Sequence, residues 1–257
     1  MAEKTSFQSL VSNKDFVNSE MVLPLVLGVD KDSKPVYADL VKMPHLLVCG
    51  HSGSFLQSVI MSILHTECKL LLIDTKDGEL ADFSGVQHLI EPIITEQDKA
   101  EKALEWAVNE IDNRYKILMD ADVQNIKGYN QKHKDAMPYI VVVIDELADL
   151  LESYKDKVPG YIQKIAMKAK AAGIHLVVAT QWVDDIGNDS ALPVSFGEMY
   201  ATLSTRITFQ LRTKEDSELV LGESGAEKLS QGEMLYSNRG GRPILICAPL
   251  VSETDKK

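Results

Sequence analysis

Four short runs of nearly unbroken apolar residues recur along the chain: LLVCG (Leu46–Gly50), LLLID (Leu70–Asp74), YIVVVIDE (Tyr139–Glu146) and GIHLVVATQ (Gly173–Gln181). Runs of this length, rich in β-branched residues and lacking alternation, predict strands buried on both faces of a parallel sheet. Between the second and third runs the period changes. From Lys99 to Met119, residues Ala103, Leu104, Ala107, Val108, Ile111, Tyr115 and Leu118 return at spacings of three and four, which predicts a helix with one buried stripe. Glu101, Lys102, Glu105 and Asp112 fall outside that stripe. A second helix is predicted over Tyr161–Ala172, with Gly173 as its C-terminal stop. Strand–helix alternation implies an α/β domain whose central sheet is mostly parallel and flanked by helices. Such sheets bind ligands at the carboxyl ends of their strands, so chemistry is expected just after each apolar run.

Composition narrows the class. The 257 residues are 45% hydrophobic and 25% charged, enough to bury a sizeable core. Residues 1–20 are polar and predict an N-terminal arm, 21–251 a single domain, and 252–257 a frayed tail. No apolar run approaches the ~20 residues that span a bilayer. The opening MAEKTSFQSLVSNKDF lacks the apolar core of a signal peptide. Three widely spaced cysteines, Cys49, Cys68 and Cys247, suit reduced thiols and a cytoplasmic location. The six histidines show no ligand-like spacing, and His175 reads as a satisfied core residue. With 27 Lys+Arg against 38 Asp+Glu the net charge is -11, whereas a domain whose main task is holding DNA is usually basic. At 6%, aromatic residues are too sparse to favour an aromatic-lined binding platform.

The strand ends carry the candidate chemistry. After the first run comes Gly50-His51-Ser52-Gly53-Ser54-Phe55-Leu56-Gln57, followed by an apolar helical stretch. A phosphate-binding P-loop reads G-x-x-x-x-G-K-[ST] in this strand–loop–helix setting. The first glycine and the small-residue centre are present, but Phe55, Leu56 and Gln57 stand where Gly, Lys and Ser/Thr belong. Phe55 adds a side chain where glycine lets amides approach the phosphates. Leu56 removes the ammonium, and Gln57 the hydroxyl that helps hold Mg²⁺. An ordinary strand–helix turn is the alternative reading of this loop. The third run ends in Asp145-Glu146, the pattern of a Walker B strand: an Asp to orient Mg²⁺ and a Glu to polarise water. The fourth ends in Thr180-Gln181, where a polar side chain could sense a γ-phosphate.

Together these segments resemble the motor domain of the FtsK/SpoIIIE DNA translocases, ring-forming RecA-fold ATPases that move double-stranded DNA. The resemblance is carried by LPLVLGVDKDSKPVYADLVKMPHLLVCG (Leu23–Gly50), AVNEIDNRYKILMDADVQNIKGYN (Ala107–Asn130), MPYIVVVIDELADL (Met137–Leu150), AKAAGIHLVVATQ (Ala169–Gln181), STRITFQ (Ser204–Gln210) and GAEKLSQGEMLY (Gly225–Tyr236). It runs from about Leu10 to Val251, without the family's membrane anchor, preceding domain or C-terminal winged helix. It implies a RecA-like P-loop NTPase fold, ATP and Mg as cofactors, a hexameric ring and duplex DNA as partner. It also implies Asp145, Glu146 and Gln181 as catalytic positions, Asp145 as the Mg ligand, and residues 50–57 as the nucleotide loop. Lys170, Arg206 and Lys214 fall at positions near a neighbouring subunit's nucleotide, with exposed-surface or salt-bridge roles as the alternative.

Departures from the family pattern direct the functional expectation. Besides the altered loop ending, the family's ATQRP continues here as Trp182-Val183, and no Lys or Arg occurs from Trp182 to Thr205. That segment carries Asp184, Asp185, Asp189 and Glu198, and Tyr200 falls near a family lysine. Non-specific DNA affinity comes mostly from Lys/Arg contacts to phosphate, so an acidic segment would repel the duplex. The leading expectation is therefore a pseudo-ATPase acting as an assembly, regulatory or scaffold subunit, as a homo-oligomer or in a mixed ring with FtsK-like subunits. An active double-stranded DNA translocase and a nucleotide-binding switch without turnover are the alternatives.

Overall fold

The computed structural model describes residues 5–76, 78–181, 183, 202–252 and 255. Among these, nine strands form one sheet: β1 (Pro24–Asp30), β2 (Pro35–Asp39), β3 (His45–Cys49), β4 (Lys69–Asp74), β5 (Ile140–Asp145), β6 (Ile174–Thr180), β7 (Arg206–Thr208), β8 (Glu233–Ser237) and β9 (Ile244–Cys247). The helices are α1 (Phe7–Val11), α2 (Lys14–Val17), α3 (Phe55–Ile63), α4 (Gln97–Asp120), α5 (Ile126–Lys132), α6 (Leu147–Ser153), α7 (Val158–Lys168) and α8 (Lys214–Leu221).

The strand order is β2-β1-β9-β8-β7-β3-β6-β5-β4. The four apolar runs supply β3, β4, β5 and β6, which with β7 form the parallel part of the sheet. Beyond β7 the sheet continues antiparallel through β8, β9, β1 and β2. Continuous apolarity in the parallel strands reflects burial on both faces. Along β5, Val142 and Ile144 join one core cluster while Val141 and Val143 join the other. The first cluster takes Leu104 and Ile111 of α4, Leu147 and Leu150 of α6, and Ile162 and Ile165 of α7. The second takes Leu56, Val59 and Ile60 of α3. The predicted layered α/β architecture is thus present, enlarged by an antiparallel extension. Among the described residues, no helix is long and apolar enough to cross a membrane.

Several local expectations are corrected. Tyr115 lies outside the buried stripe of α4, exposed, with its hydroxyl donating to Lys168 O at 2.9 Å. Its neighbour Arg114 is buried instead and donates through Nη1 to the carbonyls of Pro138 and Ala172, both at 2.9 Å. Burial holds its pKa below the usual guanidinium value. Glu101 is also buried, accepting from Lys157 Nζ at 3.0 Å and Tyr161 Oη at 3.2 Å. Gly173 is not the residue that stops α7, which ends at Lys168. It instead turns the chain into β6 with φ +71°, at a point where a Cβ would collide with Ile126. The polar N-terminal segment holds α1 and α2, and Phe7, Leu10 and Phe16 are buried against the α3 side of the sheet. His175 is buried as expected and bonds Pro44 O through Nδ1 at 2.7 Å, but its Nε2 has no partner.

Candidate functional site

Parallel pairing aligns the strand ends that the sequence singles out. Cys49 lies beside Thr180, and Asp74 beside Asp145. The chain leaves β3 through Gly50, whose N–H donates to Thr180 O at 3.0 Å. Gly50 has φ +84°, and a Cβ there would stand 2.9 Å from Gln210 O, so the turn needs glycine at this position. Ser54 is the N-cap of α3, but its side chain makes no capping hydrogen bond, and the first turn holds no acidic residue. The leading amides of α3 therefore lack the usual side-chain acceptor.

The next three residues turn inward. Phe55 and Leu56 are 1% and 0% exposed. The Phe55 ring meets Phe209 edge-on, with centroids 5.5 Å apart. Gln57 is also buried, and its Nε2 donates to Glu79 O at 3.0 Å and Asp82 Oδ2 at 3.3 Å. Those acceptors belong to the segment after β4, which Asp74 holds as well by accepting from Gly78 N at 3.2 Å and Leu80 N at 2.9 Å.

At the end of β5, Asp145 is half-buried. Glu146 follows in the left-handed region at φ 59° and is 3% exposed. Its Oε1 accepts from Thr180 Oγ1 at 2.7 Å and more weakly from Ala148 N at 3.4 Å, while Oε2 accepts from Gln181 N at 3.0 Å. Left-handed backbone at a non-glycine residue costs on the order of 1–3 kcal/mol, so these bonds maintain an unfavourable local conformation.

A cleft of about 180 Å³ opens where these ends meet the chain leaving β7. Gly50, His51, Gln181, Gln210, Arg212 and Asp216 are among the residues that line it. One residue beneath, where Cys49 pairs with Thr208, the Thr208 hydroxyl is buried without a partner. Among the described residues, no group of three or more His, Cys, Asp or Glu could hold a metal ion.

The FtsK/SpoIIIE family model matches residues 7–185, well over half of the chain. The chain belongs to the FtsK/SpoIIIE family. It is 36% identical to the DNA translocase FtsK of Caulobacter vibrioides across 98% of this chain and 35% of that protein. Identity to the DNA translocase FtsK of Clostridium acetobutylicum is 39%, over 96% of this chain and 33% of that one. The chain thus spans about a third of the length of these curated relatives. Among solved structures, the pCW3 conjugation coupling protein TcpA, determined with ATPγS, superposes with a TM-score of 0.76 at 27% identity, covering 92% of this chain and 68% of that one. The cytoplasmic domain of the Thermomonospora curvata type VII secretion ATPase EccC gives 0.80 at 20% identity, over 98% and 32% of the two chains, a likeness of fold. The fold is that of RecA-like FtsK and EccC ATPase domains.

Within this FtsK/SpoIIIE domain, the residues first read as a loop and strand ends (Gly50 to Gln57, Asp145, Glu146 and Gln181) gather at one end of the parallel strands. The three trans-acting candidates do not join them in the cleft. Lys170 is exposed beyond α7. Lys214 opens α8 and pairs with Glu218 at 3.0 Å across one helical turn. Arg206 lies at the start of β7, donating through Nε to Leu203 O at 3.0 Å and through Nη1 to Val220 O. Trp182, Asp184, Asp185, Asp189, Glu198 and Tyr200 lie outside the described residues. The sequence marks STRITFQ by resemblance but does not single out Gln210 or Arg212 as site residues, because β7 has only three residues, too short for an apolar run whose end would point to them.

Proposed function

We propose that this chain is an FtsK-like motor domain that does not turn over ATP and acts through protein contacts, as an assembly, regulatory or scaffold subunit in a homo-oligomer or mixed ring. The functional unit is residues 21–251. The observation that carries this reading is the use made of the loop's last three positions. Phe55 packs on Phe209, Leu56 is buried, and Gln57 ties the segment after β4 to α3. None of them presents an ammonium or hydroxyl to a bound triphosphate. A nucleotide held by a P-loop needs the lysine on its β/γ-phosphates and the hydroxyl on Mg²⁺. Losing one preorganised donor at a charge-developing centre costs roughly 3 kcal/mol of transition-state stabilisation. The residues present therefore do not fit a magnesium-held triphosphate poised for hydrolysis. Glu146 adds to this, since both of its carboxylate oxygens are engaged by the end of β6.

The relatives are DNA translocases, and the TcpA structure holds an ATP analogue; neither property is needed for this role. The acidic stretch from Trp182 to Thr205 supports a chain that does not grip duplex DNA, because it offers no cation to phosphate. The retained Asp145-Glu146 pair favours the rival reading, an active translocase. Phosphate release by the wild type and by Asp145→Asn, each with and without duplex DNA, separates the two. We expect both proteins to sit at background, with a solution mass that Mg-ATP does not alter. Robust Asp145-dependent turnover would overturn the proposal.

A further inference from the structure

We propose that the outward face of α4 is a self-complementary surface that binds the same face of a second copy of this chain, antiparallel about a twofold axis level with Ile111. The inference rests on the homo-oligomer reading above and deepens it by naming a surface, one that uses none of the strand-end residues. The buried stripe of α4, with Ala100, Leu104, Ala107, Ile111 and Leu118, faces the sheet and α7. The opposite face carries two large apolar side chains, Trp106 at 38% and Ile117 at 42% exposed. Around them lie Lys102, Glu105, Asn109, Asn113, Lys116 and Asp120, all exposed. Among the described residues none of these eight side chains makes a hydrogen bond or ion pair, so their polar groups remain available to a partner.

Position along the helix decides the partner. Three turns of α-helix take about 11 residues, so side chains that far apart share one line. Trp106 and Ile117 lie on one flank of the outward face, and Glu105 and Lys116 on the other. Lys102, Asn109, Asn113 and Asp120 run along its middle. A twofold axis perpendicular to the helix keeps each flank on its own side and reverses the chain direction about Ile111. Lys102 is nine positions before Ile111 and Asp120 nine after it, about 13 Å to either side, so each lysine meets the second copy's aspartate. Asn109 and Asn113 stand two positions to either side, where their amides exchange hydrogen bonds across the axis. On the flanks Glu105 meets Lys116 and Trp106 meets Ile117, each pair within one residue of direct opposition. The other arrangements oppose like charges or bury one. Parallel pairing sets Lys102 against Lys102 and Asp120 against Asp120. A slide of about one turn sets Lys102 against Lys116 and Asp98 against Asp120, or in the other direction Trp106 against Asp120. The contact is isologous and closes at two copies. A single helix pair about 27 Å long falls at the low end of specific interfaces, which predicts a Kd on the order of 10–100 μM.

Sedimentation velocity of the full chain, from about 5 to about 500 μM, brackets that Kd. The expected result is a reversible monomer–dimer equilibrium that high salt weakens. Lys102→Glu, Asp120→Lys and Trp106→Ala should each weaken it about tenfold or more. The exchange variant carrying both Lys102→Glu and Asp120→Lys should recover the wild-type Kd, because it re-forms both pairs with their signs reversed. Lys34→Glu, which changes net charge as Lys102→Glu does but in the exposed turn between β1 and β2, should leave the equilibrium unchanged. A chain that stays monomeric throughout the range overturns the proposal. So does a dimer that Lys102→Glu leaves intact, or an exchange variant that stays monomeric with its circular dichroism unchanged. Turnover is scored separately. A monomer without hydrolysis removes this surface and leaves the non-hydrolysing role standing, whereas hydrolysis by a chain that pairs through α4 sinks that role alone.

Discussion

Replacing Phe55 with alanine distinguishes a loop that has merely lost its phosphate ligands from one that has become part of the core. An eroded loop exposes its side chains, and exposed substitutions change stability by about 0.5 kcal/mol or less. Phe55 is 1% exposed, in a cluster with Leu56, Val59, Ile207 and Phe209. Truncating a ring in such a setting costs about 3–5 kcal/mol, the transfer contribution plus the cavity left behind. Of that, about 0.5–1.5 kcal/mol belongs to the edge-on contact with Phe209. For a domain of this size the loss lowers Tm by roughly 10 °C. Urea denaturation followed by circular dichroism, with the slope m compared between proteins, reads the stability directly. A double-mutant cycle with Phe209→Leu then isolates the pair, with an expected coupling of about 1 kcal/mol. A loss of less than about 1 kcal/mol for Phe55→Ala, or zero coupling, would refute the reasoning: the ring would not be lodged in the core, and the argument from an inward-turned loop ending would fall with it.

Gln57→Ala removes two hydrogen bonds to the segment after β4 and should cost about 1–2 kcal/mol. It should also speed proteolytic cleavage near residues 78–83, and a cleavage pattern identical to wild type would argue against the tether. His45 and His175 predict acid sensitivity. Burial, joined for His45 by the neighbouring His175, holds their pKa values at about 3 and about 4, against 6.5 when unfolded. Below pH 6.5 the unfolded chain therefore binds more protons, so stability is complete above that pH and falls as pH drops towards 4, at up to about 1.4 kcal/mol per pH unit for each histidine. Urea midpoints from pH 7.5 to 5 measure it, and the double variant His45→Asn, His175→Asn should flatten the slope; an unchanged slope would rule the pair out as its source.

How much of the fold could be read from the sequence depended on how each element earns its burial. The parallel strands β3 to β6 are apolar on both faces, and that double burial leaves an unbroken run that no loop imitates. In the antiparallel extension only β1 carries such a run among the described strands, and the others leave no such trace. The edge strand β2 is half-exposed along most of its length, and β9 begins with the exposed Ile244 and Leu245. Their identity as strands comes from pairing across the chain, as when Val29 of β1 meets Cys247. In α4 the apolar period located the helix but not the edge of its buried face. Arg114 is buried because the carbonyls of Pro138 and Ala172 need a donor there. Such a demand is created by packing and has no signature in the hydrophobic pattern. The N-terminal helices failed for the opposite reason: Phe7, Leu10 and Phe16 are too few among polar neighbours to outweigh the composition of the segment around them.

At the site, the sequence exposed what is missing more readily than what replaced it. The absent Gly-Lys-Ser ending is visible by inspection, since each residue type has a known task at a phosphate. Phe55-Leu56-Gln57 says nothing by itself about direction, because an apolar pair after a turn can begin a helix with either face to the core. The structure supplies that direction, and with it a reason why the substitutions hang together. Once Phe55 rests on Phe209 and Gln57 holds the segment after β4, the three positions stabilise the domain in the absence of any ligand. Glu146 follows the same logic: whether or not it polarises water, its carboxylate satisfies Thr180 Oγ1 and Gln181 N. Its persistence in the sequence is therefore weak support for catalysis, because a buried donor pair would select for that carboxylate whether or not any nucleotide is cleaved.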